Sequence, residues 1–152
     1  MDQSDTAAVS LVPLPVATNE VPRSEIVFDG HKSGQSVEGL VLEAAFAVKA
    51  GFLLFVTDDV PFEEGLHLHL VSHDGKLLDT IFLGAVYATG SLRNLIRQAP
   101  DLFRFSFFED QPLQLRVWDV SRFRWPWQGG VPGAHVGLSR RAFLFLSKER
   151  DP

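Results

Sequence analysis

The sequence predicts a mostly β domain: an antiparallel β-sandwich or open barrel of about seven to eight strands with one short helix. Three observations carry this. Apolar residues recur at alternate positions in short, closely spaced runs. Asp74-Gly75 stands between two such runs, a strong hairpin signal. Phe52–Val56 reads FLLFV, too short for a helix and bounded by Gly51 and Asp58-Asp59, which marks a central strand covered on both faces.

The elements follow in order. Residues 1–24 are polar and contain proline, and read as a flexible N-terminal arm with a short edge pairing near Val9–Val16. Residues 25–152 form a single β domain. Glu25–Phe28 is a first short strand closed by Asp29-Gly30, and His31–Gln35 a loop. Leu40–Val48 places Leu40, Leu42, Ala44, Phe46 and Val48 on one face, and Lys49-Ala50-Gly51 turns the chain. A two-residue turn at Asp74-Gly75 would pair Leu68 with Ile81, Leu66 with Leu83, His69 with Thr80 and His67 with Phe82. Leucines then face the core and histidines face outward. Asp79, opposite Leu70, is a misfit on the core face, expected near an edge where water reaches it. Ser91–Gln98 is the helix candidate: Ser91 caps it, Leu92, Leu95 and Ile96 share a face, and Pro100 stops it. Leu102–Phe108, Leu113–Trp118 and Arg141–Leu146 return to strand, the second with Gln114, Arg116 and Trp118 outward.

Composition bounds the function. At 152 residues and 45% apolar, with 13 Phe, the chain suits one domain with its own core. It has no Cys, so disulfides and thiolate chemistry are excluded and a reducing, cytoplasmic setting is expected. The N-terminus has no basic segment and is interrupted by Pro13 and Pro15, unlike a signal peptide. No apolar run reaches the roughly 18 residues of a membrane helix, so no membrane insertion is expected. The net charge of −5 is uneven: residues 1–90 carry 4 basic and 13 acidic side chains, residues 91–152 carry 10 and 6. Such asymmetry points to a bipolar surface, while in a sandwich the two halves are expected to interleave and mix these charges. Nucleic-acid binding is not expected at this overall sign.

Three residue groups could carry chemistry. His67 and His69 form His-x-His, with both imidazoles on one strand face. The pair resembles the metal-holding strand of cupin-type β-barrels. That resemblance, confined to one hairpin, implies a divalent ion held by His67, His69 and a later His135 in a metal-dependent enzyme or small-molecule binder. It departs from the pattern where a Glu should follow, since Ser72, His73 and Asp74 stand there. The plainer reading is two polar side chains on a wet hairpin face. Asp58, Asp59, Glu63 and Glu64 crowd one loop, but without calcium-loop spacing they read as a solvated acidic turn. No nucleophile elbow or phosphate-binding loop occurs, and the preferred expectation is no cofactor.

The most unusual segment is Arg122-Phe123-Arg124-Trp125-Pro126-Trp127, dense in the residue types enriched at binding hot spots. Trp118 extends it. With no coherent catalytic set, the expected function is a non-enzymatic protein-interaction or assembly module. It would use Trp118, Arg122, Phe123, Arg124, Trp125 and Trp127 toward a protein partner or a second copy in a homo-oligomer. The alternatives are the His-x-His metal site and a carbohydrate-binding sandwich in which an exposed Trp stacks on a sugar ring.

Overall fold

The computed structural model describes residues 9–15, 21–59, 64–84, 90–108, 111–124, 131–136 and 141–149. In them the alternating runs become twelve strands and no helix. Strands β1 (Val9–Pro13), β2 (Arg23–Phe28) and β3 (His31–Glu38) form a three-stranded sheet. A meander of β4 (Val41–Val48), β5 (Gly51–Thr57), β6 (Leu66–Val71) and β7 (Leu77–Leu83) follows. A second meander comprises β8 (Arg93–Ala99), β9 (Leu102–Ser106) and β10 (Pro112–Phe123). The short β11 (Ala134–Val136) extends the first meander beside β7, and β12 (Arg141–Lys148) returns beside β10. The sheet orders are β1-β2-β3, β11-β7-β6-β5-β4 and β12-β10-β9-β8, every pairing antiparallel.

Two apolar clusters stack these sheets in three layers. The larger joins Phe46, Phe55, Leu66, Leu68, Leu70 and Ile81 of the five-stranded sheet to Phe103, Phe105, Leu115 and Leu144 of the four-stranded sheet. The smaller joins Ala45, Leu54, Val56 and Val71 to Val9, Ile26 and Val37 of the three-stranded sheet. The five-stranded sheet is thus covered on both faces, which is why FLLFV alternates in neither direction and why all six residues of β6 are buried. Each fully buried Phe or Leu contributes roughly 1.5–3 kcal/mol.

Several sequence expectations change. The β6–β7 pairings are those predicted from Leu66↔Leu83 to Leu70↔Asp79, but the turn is longer: Ser72 N–H donates to Lys76 O, and Val71 pairs with Leu77. A bulge between Leu70 and Val71 in the ladder absorbs the extra residue. A register shift between Leu42 and Ala44 turns Leu42 away from the face of Ala44 and Phe46, into the smaller cluster. Residues 31–38 are strand β3, not a loop, while the short edge pairing expected near Val9–Val16 is present as strand β1 at Val9–Pro13, with Val9 buried.

The predicted helix at Ser91–Gln98 is instead the edge strand β8. Asn94 adopts φ +56° within a register shift between Arg93 and Ile96. That bulge lets Leu92 and Leu95, three apart, both pack on the core, and three-residue spacing reads as helical.

Candidate functional site

The histidine face is not wet. The three-stranded sheet covers it, leaving His67 3% and His69 2% exposed. Gly39 permits the close approach: at φ +109°, a Cβ there would lie 2.4 Å from Val56 Cγ1 and 3.2 Å from His67 Cδ2. The two rings stack at 5.5 Å with 12° between planes. His69 Nε2 donates to the Glu38 carbonyl at 2.8 Å, and its Nδ1 accepts from Thr80 Oγ1 at 2.9 Å. Desolvation by burial pushes the His69 pKa down to about 4, so the ring is neutral near pH 7. His67 Nε2 donates to Asp58 Oδ1 at 2.7 Å.

The three histidines do not converge. On neighbouring strands His67 and His135 both pair with Phe82, whose ring stands between them, 4.7 Å from the first and 6.1 Å from the second. Both His69 ring nitrogens are occupied by hydrogen bonds. Among the described residues no group of three or more His, Asp or Glu side chains is placed to hold a metal ion. The acidic loop is braced internally, with Glu64 Oε1 accepting the Asp58 and Asp59 amides at 2.8 and 3.1 Å.

The aromatic-arginine segment divides. Trp125 and Trp127 lie outside the described residues. Arg124 does not reach the surface: it is 3% exposed, and its Nη1 donates to Asp79 Oδ2 at 3.0 Å and to Leu144 O at 2.7 Å. Its place in the expected binding surface is corrected by Asp79, the acid that seemed misplaced on the core face of β7.

Arg122 and Phe123 are exposed and Trp118 is half-buried beside them, around a wide bulge in β10. Val117 pairs with Leu144 and Arg122 with Ala142, so Trp118, Asp119, Val120 and Ser121 stand opposite Phe143 alone. Bulges bend a strand and re-aim its side chains. Here Val120 becomes 61% and Phe123 49% exposed. The Trp118 ring packs on Phe145 at 5.8 Å, and the Arg122 guanidinium lies over it at 5.2 Å.

The bulge walls a cleft of about 480 Å³ at one end of the larger core, within the size range of ligand sites. Ala47–Ala50 at the β4–β5 turn form a second side, and Arg97, Pro100 and Asp101 around the β8–β9 turn a third. Arg97 fixes these parts: its Nη2 donates to Ala47 O at 2.8 Å and Pro100 O at 2.7 Å, and its guanidinium lies 5.3 Å from the Phe103 ring. Lys49 lies 3.7 Å from Asp119, and Arg116 lies 3.2 Å from Asp101. Lys49, Arg97, Asp101 and Asp119 escaped sequence reading. The β4–β5 turn and the chain break at Pro100 were legible, but their convergence at one end depends on sheet packing.

Comparison with protein-family models, curated proteins and solved structures finds no match to this chain. The functional reading therefore stands on the cleft itself. No helix among the described residues is long and apolar enough to cross a membrane.

Proposed function

We propose that this chain is a non-enzymatic protein-interaction module that docks its partner at the β10 bulge and the adjoining cleft. One observation carries the reading. A strand that turns Leu113, Leu115 and Val117 into the core along its first half is bulged beyond them, and Val120 and Phe123 become exposed next to the Trp118–Arg122 stack, beside an open cleft. Apolar and aromatic side chains grouped at a concave rim are the pattern of a binding hot spot. Single exposed apolar residues elsewhere, such as Val12 or Leu77, need no such explanation.

The test is a random peptide library displayed on phage, selected on the full chain and counter-screened on Trp118→Ala. Selected peptides are expected to lose about 30-fold in affinity on the variant, as hot-spot truncations do. Peptides that bind both proteins equally would remove the bulge from the interface. Sedimentation over a concentration series addresses the case in which the partner is a second copy.

A second reading has one observation in its favour. Trp118 shares a cleft of small-ligand size with Asp101 and Asp119, a grouping suited to stacking on a sugar ring and accepting its hydroxyls. A glycan array with wild type and Trp118→Ala separates it from peptide docking.

A further inference from the structure

We infer that the cleft docks an acidic protein segment; this rests on the docking reading above and names the partner's chemistry. The first observation is the placement of charge. Among the described residues the two halves of the sequence do not interleave. Strands β1–β7 build the three-stranded sheet and the first meander, while β8–β10 and β12 build the four-stranded sheet; only β11 crosses over, and it carries no Lys, Arg, Asp or Glu. Among the described residues, positions 9–83 carry 4 basic and 9 acidic side chains, and positions 91–149 carry 8 basic and 3 acidic. The unevenness along the sequence is therefore an unevenness between sheets, and the expected mixing does not occur. The cleft lies where the cationic sheet meets the end of the meander.

The second observation is how the cleft's charges are held. Lys49, Arg97 and Arg122 line it, against Asp101 and Asp119. Each carboxylate already has a cation, Arg116 for Asp101 and Lys49 for Asp119. Arg97 is fixed by two carbonyls and the Phe103 ring, and Arg122 lies over Trp118. These guanidiniums are positioned before any ligand arrives, so little of their ordering cost falls on binding. Guanidinium groups match carboxylates in a planar, two-point geometry.

A protein segment fits better than a nucleic acid. A polyanion needs a continuous cationic track, and here Asp101 and Asp119 interrupt it while the chain as a whole carries −5. A short acidic segment can place its carboxylates at Arg122 and Arg97, lay apolar residues on Trp118, Val120 and Phe123, and stay clear of the acidic sheets. Complementary charge of this kind chiefly sets specificity and association rate.

The experiment uses the full chain and fluorescence anisotropy. The probes are a labelled peptide alternating Glu with Leu and Phe, its Gln-for-Glu and Lys-for-Glu counterparts, and an oligothymidylate of the same length. The acidic peptide is expected to bind about tenfold tighter than the Gln peptide, with the preference fading as salt rises. That preference should vanish in Lys49→Glu/Arg122→Glu, whose sites are surface-exposed; Lys49→Gln/Arg122→Gln serves if the double Glu variant fails to fold. If Glu and Gln peptides bind alike and both are lost in Trp118→Ala, docking stands and the acidic partner is overturned. Tightest binding of the oligothymidylate or of the Lys peptide overturns it too. Binding by none of the probes overturns the acidic segment and leaves the docking reading to the phage selection and sedimentation above.

Discussion

Asp79 and Arg124 form an ion pair of 3.0 Å in which the side chains are only 7% and 3% exposed. The same Asp79 oxygen accepts the Phe143 and Leu144 amides at 3.0 and 2.9 Å. These amides lie where the β10 bulge interrupts the β10–β12 ladder. A carboxylate on β7 thus supplies hydrogen bonds that the bulge withholds, and ties the five-stranded sheet to β12. The bulge that exposes Val120 and Phe123 is stabilised from behind by this contact.

Asp79→Ala should therefore cost about 3–5 kcal/mol, because it leaves Arg124 buried and uncompensated and two amides unpaired. Arg124 Nε and Nη2 already lack hydrogen-bond partners among the described residues, so losing Asp79 adds to an existing deficit. Asp79→Leu combined with Arg124→Met should recover much of the guanidinium's share of the loss, though not that of the two amides. Urea unfolding of the two single variants and the double variant measures this, and additive losses would mean the two residues act independently.

His69 should make the fold sensitive to acid. Its folded pKa of about 4 lies below the unfolded value of 6.5, so the unfolded chain takes up the proton first. Its contribution is fully present above pH 6.5 and is lost as pH falls toward 4. The shift corresponds to about 3 kcal/mol. Burial is the main cause; His67 and Arg23 add to the lowering, while the Glu38 carbonyl and Asp58 oppose it. Thr80 completes the surroundings through its hydroxyl. Between pH 7 and pH 4.5 the urea midpoint of wild type should fall more steeply than that of His69→Gln. Parallel profiles would show that the loss belongs to other groups.

Gly39→Ala tests the same layer contact from the other side. The added methyl would meet Val56 Cγ1 at 2.4 Å, with the backbone at a positive φ that alanine resists. A loss of about 2–3 kcal/mol is expected, with faster amide exchange in β1–β3 than in β8–β10. Uniform exchange would mean that the three-stranded layer does not loosen by itself.

Local rules made much of the fold legible. FLLFV announced a doubly covered strand, and the β6–β7 pairings followed from alternation because a longer turn and a bulge offset each other. What stayed hidden depended on a third layer. Alternation places His67 and His69 on the face opposite Leu66 and Leu68, and only the packing of β1–β3 makes that face dry. The site was half legible for a similar reason. Trp118, Arg122 and Phe123 stood out by residue type, whereas Arg124 of the same run is drawn inward by an acid 45 positions away. Lys49 reaches the cleft from the β4–β5 turn and Arg97 from the end of β8, and their convergence is a property of sheet order.

Asn94 offers a test in which strand and helix predict opposite orders of stability. In a helix interior alanine is favoured over asparagine, and glycine is the poorest of the three. At φ +56° the order changes, since glycine has no Cβ penalty, asparagine tolerates the region and alanine does not. Asn94→Ala should destabilise by about 1 kcal/mol, while Asn94→Gly stays within about 0.5 kcal/mol of wild type or improves on it. Equilibrium unfolding of both variants reads the order directly. An alanine variant more stable than wild type would restore the helix at 91–98, and with it would go the bulge that brings Leu92 and Leu95 to the same core.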